Sequence, residues 1–150
     1  MATQLKDFAT SVVAVVEPET TALVVAQLMR KHHIGALVVV ATGEKNRPVG
    51  IVTDRDLVLE LMAEGLDAAI FTAGDIMSVD LVMATPEMDA MDAVQLMKTN
   101  RVRRLVIADA AGQLVGIVTM EDILELLTRE LANLVAGLAG ARDREIDERG

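Results

Sequence analysis

The chain writes one short passage twice. Val49-Gly50-Ile51-Val52-Thr53 with Asp56 returns, 66 positions on, as Val115-Gly116-Ile117-Val118-Thr119 with Asp122. An internal repeat constrains a fold strongly, because it fixes the architecture as two copies of one unit. The likeness continues upstream at an offset of 68. Asp7 answers Asp75, Pro18-Glu19 answers Pro86-Glu87, Gln27-Leu28-Met29 answers Gln95-Leu96-Met97, and Leu37-Val38-Val39 answers Leu105-Val106-Ile107. The offset falls to 66 because the loop from Ala41 to Pro48 is two residues longer than its counterpart. A surface loop absorbs such a difference at little cost.

Each unit reads β-α-β-β-α, which predicts an α/β chain of the α+β kind. The first unit has an apolar strand over 12–16 and Pro18 in a first helical turn. A helix follows over 20–32, ended by Gly35. Strands over 37–40 and 49–53 flank a polar loop, and a second helix covers 54–64, ended by Gly65. The second unit repeats the order, with strands over 81–84, 104–108 and 114–118 and a helix over 87–99. Its last helix begins near Met120 and is expected to reach Leu138 on a stripe of Ile123, Leu126, Leu127, Leu131, Leu134, Val135 and Leu138. That length exceeds the needs of one unit and predicts packing on another surface. The charged tail from Arg142 to Gly150 is expected to fray. The boundaries read as 7–66, 74–130 and an extension over 131–150.

Apolar residues make up 52% of the chain and charged ones 25%, which describes a globular protein with a sizeable core. Phe8 and Phe71 are the only aromatics. A net charge of −9 argues against nucleic acid as a partner, since phosphate backbones want clustered cations. Cysteine is absent, which removes disulfides and thiolate chemistry. No apolar run approaches the roughly 18 residues of a membrane span, and a cytoplasmic setting is expected. His32 and His33 are adjacent and cannot share a helical face, so no metal site is expected. Ser11 and Ser78 lack a His or Asp at triad spacing. No nucleophile, base and oxyanion donor come together, and the chain is expected not to be an enzyme.

Thr53-x-x-Asp56 and Thr119-x-x-Asp122 each stand where a strand becomes a helix. Two readings use the same physics. Thr at the cap with an acid three residues on is a capping box, which satisfies helix-end amides. A helix start also offers free N–H groups to phosphate, and a neighbouring carboxylate accepts from ribose hydroxyls. Gly50 and Gly116 leave room for a ligand or another backbone.

With these residues in view, the two units resemble CBS domains, and together a CBS pair or Bateman module. The likeness rests on Ile34-Gly35-Ala36-Leu37-Val38-Val39 followed by Pro48 to Asp56, and on Val102-Arg103-Arg104-Leu105-Val106-Ile107 followed by Leu114 to Asp122. It implies two repeats related by a pseudo-twofold axis, with clefts for adenosine ligands between them: AMP, ADP, ATP, S-adenosylmethionine or NAD. It further implies that Asp56 and Asp122 hold ribose, that Thr53 and Thr119 contact phosphate or ribose, and that Ile51 and Ile117 lie against the base. Arg103 and Arg104 would reach phosphate in the Asp56 cleft, with Leu81 and Val82 beside adenine; solvated surface charge is their alternative reading. In the other cleft Gly35 and Ala36 replace those arginines. Arg55 would partly compensate there, while Glu121 would weaken the Asp56 cleft. The Asp56 cleft is thus expected to be the better phosphate site.

Two functions follow. One is a regulatory adenine-nucleotide sensor that acts on a separate protein. The other is a structural dimerisation module in which the Thr/Asp sets are caps only. Either is expected to be a homodimer, because units this small bury their helical faces against a second pair.

Overall fold

In the computed structural model, residues 3–11, 14–44 and 46–149 are described. The elements follow in the order β1 (Val15–Val16), α1 (Ala22–His32), β2 (Ala36–Val40), β3 (Pro48–Thr53), α2 (Asp54–Asp56), α3 (Ala73–Ile76), β4 (Met83–Ala84), α4 (Ala90–Asn100), β5 (Arg104–Ala108), β6 (Leu114–Thr119) and α5 (Met120–Arg149). α2 continues as a π-helix over Leu57–Met62. No helix among the described residues is long and apolar enough to cross a membrane.

The strands form two three-stranded sheets of the same topology, β1-β2-β3 and β4-β5-β6. In each, the first strand runs parallel to the second and the second antiparallel to the third. The register repeats as well: Val39 stands opposite Gly50, and Ile107 opposite Gly116.

Side-chain alternation explains why β2 is apolar throughout. Leu37 and Val39 pack into a core with Val25, Met29 and Val52. Val38 and Val40 point the other way and meet Val106 of the second sheet. A strand buried on both faces reads as a continuous apolar run. β5 does the same, with Leu105 and Ile107 in a core with Met97, Val118 and Ile123.

The repeats also exchange their leading segments. Leu5 is fully buried in the second core, and Ala73 in the first. Ala73 N donates to Thr20 O at 2.7 Å and Leu5 N to Met88 O at 2.9 Å. Ile51 N donates to Ser78 O at 3.1 Å and Ile117 N to Thr10 O at 3.0 Å. Each bond on one side has its image on the other, as a pseudo-twofold relation requires.

Several boundaries move. The first strand is seen at Val15–Val16; Val12 and Val13 lie outside the described residues. Pro18 precedes α1 rather than opening it. Thr21 caps the helix by accepting from Val24 N at 3.3 Å, and the Pro18 carbonyl accepts from Gly74 N at 2.9 Å. α1 ends on His33 in the left-handed region, at φ 53°, two residues before Gly35; α4 ends likewise on Arg101, at φ 55°. The expected fraying of the tail is corrected: α5 runs unbroken to Arg149. Good helix formers fill it, and Arg144 bonds Glu148 one turn on at 2.8 Å. Gly150 lies outside the described residues.

Candidate functional site

Both Thr/Asp sets form complete capping boxes. Thr53 N donates to Asp56 Oδ2 at 2.8 Å, and Asp56 N donates to Thr53 Oγ1 at 3.2 Å. Thr119 and Asp122 match them at 2.9 and 3.1 Å. The bland reading is therefore realised in the structure. Chemical capacity is left over: among the described residues the other oxygen of each carboxylate accepts nothing, and each threonine hydroxyl keeps its proton to donate.

The glycines serve the scaffold. A Cβ on Gly50 would meet the Met77 side chain, and one on Gly116 would meet the carbonyl of Thr10. The room they leave is filled by the chain itself.

Two clefts open between the repeats beside these boxes. The first encloses about 440 Å³ and joins Ile51, Thr53, Asp54 and Arg55 of one repeat to Leu81, Val82, Val106 and the run from Arg101 to Arg104 of the other. The second encloses about 220 Å³, where Ile117, Thr119 and Asp122 face Thr10, Ala14 and Ile34 to Ala36, with Arg104 at its edge. Only the first falls within the ~300–1,000 Å³ usual for small-molecule sites. A larger hollow of about 590 Å³ lies between α1 and β6, and its described lining carries Glu17 and no cation.

Most residues singled out in the sequence fall on these two linings. Asp56 stands just beyond the lining of the first cleft, with its carboxylate turned to the cap. Arg55 is corrected: it lines the first cleft, not that of Asp122. Its position in the first turn of α2 puts it on the side that faces Arg101 to Arg104. Arg104 lines both clefts.

Arg103 Nη2 meets Glu121 Oε1 at 2.6 Å, with both side chains largely exposed. Glu121 thus opposes the cationic side of the first cleft. A hydrogen bond with its own backbone amide, and next the charge of Arg103, hold the Glu121 carboxyl below the ordinary carboxylate value. Arg101 and Asp54 were missed in the sequence. Their signal was adjacency, one to the Arg103-Arg104 pair and the other to Thr53.

No group of three or more His, Asp or Glu among the described residues is placed to hold a metal ion. Among the described residues of either cleft, no nucleophilic side chain donates a hydrogen bond to a basic one.

The family model for the CBS domain matches residues 5–63 and 73–129. The CBS domain-containing protein YhcV of Bacillus subtilis is 39% identical over 135 residues, covering 90% of this chain and 91% of that one. Among solved structures, CBS domain protein PAE2072 from Pyrobaculum aerophilum, complexed with AMP, matches with a TM-score of 0.74 at 24% identity. That match covers 84% of this chain and 99% of that one. The CBS domain pair of protein MJ0100, in complex with 5'-methylthioadenosine and S-adenosyl-L-methionine, matches with a TM-score of 0.76 at 23% identity, covering 87% and 99%. The repeat, the twinned sheets and the family match agree: this chain belongs to the CBS-domain family, as a tandem pair.

Proposed function

We propose that the chain is a regulatory sensor of adenine nucleotides of the AMP, ADP or ATP type, acting as a homodimer on a separate protein. The observation that carries the reading is the first cleft. Its floor of Ile51, Leu81, Val82 and Val106 is shaped for a flat apolar base, and its rim of Arg55, Arg101, Arg103 and Arg104 for phosphate. Thr53 is on the cleft lining and Asp56 stands just beyond it; in this reading the pair would hold the ribose, through the carboxylate oxygen and hydroxyl proton that the capping box leaves over. The two fold neighbours solved with AMP and with S-adenosyl-L-methionine support an adenosine ligand at the level of the fold.

No bond is made or broken in this reading. Binding across the cleft would tie the two repeats together and shift the geometry that a partner protein senses. S-adenosylmethionine or NAD(H) is the second reading, because the base and ribose positions suit them equally. The arginine rim favours a ligand with terminal phosphate.

A thermal-shift panel of AMP, ADP, ATP, NAD and S-adenosylmethionine tests this. A ligand that binds only the folded state raises Tm by mass action, worth about 2.7 kcal/mol at a hundred times its Kd. The phosphate-terminated nucleotides should give the largest rise. No rise with any of them at millimolar concentration would leave the capping boxes as the whole role of the repeated motif.

A further inference from the structure

α5 leaves the body of the molecule after its second turn. Ile123 and Leu126 are buried, whereas every side chain from Leu131 to Arg149 is exposed. Leu124, Leu131, Leu134 and Leu138 are 56%, 63%, 72% and 64% exposed. With Leu127 and Ala141 they alternate at spacings of three and four along the helix. That spacing belongs to a helix that lies along another helix. A projecting helix has no tertiary packing of its own to hold it in water.

We propose that this stripe is covered by α5 of a second copy running antiparallel, with Leu131 of one copy opposite Leu134 of the other. The pairing rests on the homodimer reading for the presence of a second copy and adds its orientation and register. In this register Leu127 opposes Leu138 and Leu124 opposes Ala141. All six layers are then apolar on both sides, over about 27 Å of helix at 1.5 Å per residue.

Charge selects the direction. A parallel alignment would carry the pattern on to Glu145 and Glu148 and set each against its own copy in the seam. It would also bring Arg144 against Arg149 of the second copy. The antiparallel alignment avoids all three clashes and sets Glu121 at the flank opposite Arg142 of the second copy, a pair of opposite sign. The stripe is thus complementary to itself reversed, which is why the occupant is a second copy of this helix.

The absence of cysteine makes the test clean. Full-length Leu124→Cys and Ala141→Cys are prepared separately, then treated with a short bis-maleimide, alone and after mixing. The mixture should yield a cross-linked dimer while each variant alone stays unlinked; Leu127→Cys with Leu138→Cys should behave the same way. Self-linking of either single variant would overturn the antiparallel register. A dimer by light scattering that fails to link in either mixture would overturn this pairing and leave the homodimer reading standing on another face. A monomer at micromolar concentration would overturn both.

Discussion

The two repeats share a backbone and differ in the side chains they aim at each other. Asp54 N donates to Gly35 O at 2.9 Å, and Met120 N donates to Arg103 O at 2.8 Å: one scaffold bond, written once behind a glycine and once behind an arginine. The first cleft gathers four arginines, while the second has Arg104 alone beside Gly35 and Ala36. Gly35 is part of that difference. A Cβ there would stand 3.1 Å from Asp54 Oδ2 and 3.6 Å from Arg104 Nη2, so its bareness leaves the space that these two side chains use. A duplicated fold keeps its backbone contacts in pairs, because each holds up a core. Positions whose side chains only face a cleft are free to diverge.

The largest break in the symmetry should appear in stability. Gly116→Ala drives a Cβ into the Thr10 backbone, which is itself paired to β6, whereas Gly50→Ala meets the rotatable side chain of Met77. Overpacking against fixed backbone should cost about 3 kcal/mol and against the methionine about 1 kcal/mol. Urea unfolding of both variants checks this, and equal costs would contradict the difference in what each glycine touches.

Next in size is Arg104→Ala. Charge-assisted hydrogen bonds are worth about 1.5–3 kcal/mol, so AMP affinity should fall by roughly ten- to a hundredfold. Arg55→Ala should weaken the first cleft by less, since Arg55 is exposed and its contacts are screened by solvent. Calorimetric titration of the two variants ranks them; an Arg55→Ala loss as large as that of Arg104→Ala would put the phosphate elsewhere.

Glu121→Gln should act in the opposite direction. It releases Arg103 from an exposed pair worth about 0.2–1 kcal/mol, so AMP affinity should rise by up to about fivefold. The pH dependence carries the same sign test. The Glu121 pKa is lowered in the folded state, so the stability it contributes is present above the ordinary carboxylate range. That stability is lost as pH falls through the lowered value. The small Tm difference between parent and Glu121→Gln should therefore vanish in acid; a difference that grows on acidification would contradict the pairing.

Local pattern carried much of this fold. The apolar runs at Leu37–Val40 and Leu105–Ala108 and the twin offsets made the β-α-β-β-α order readable in the sequence. Where the reading slipped, a longer-range contact decided the outcome. Pro18 reads as a helix opener, yet its carbonyl is engaged by Gly74 of α3, at the start of the other repeat. Leu5 and Ala73 carry no sign that each fills the other repeat's core. The tail, read by charge as frayed, is helical because its acids and bases fall one turn apart. Arg55 and Arg101 show the limit for the clefts: sequence gives a cation's position along the chain, and the turn in which it sits decides which cleft it reaches.

Paired titrations of Asp56→Ala and Asp122→Ala with AMP test the central claim, that the first cleft is the better phosphate site. The two aspartates cap their helices with matched geometry, at 2.8 and 2.9 Å, so both variants should lose a similar stability of about 1 kcal/mol. Any difference in affinity then reports the clefts. Asp56→Ala should lose the larger share of AMP binding; a larger loss from Asp122→Ala would contradict the account.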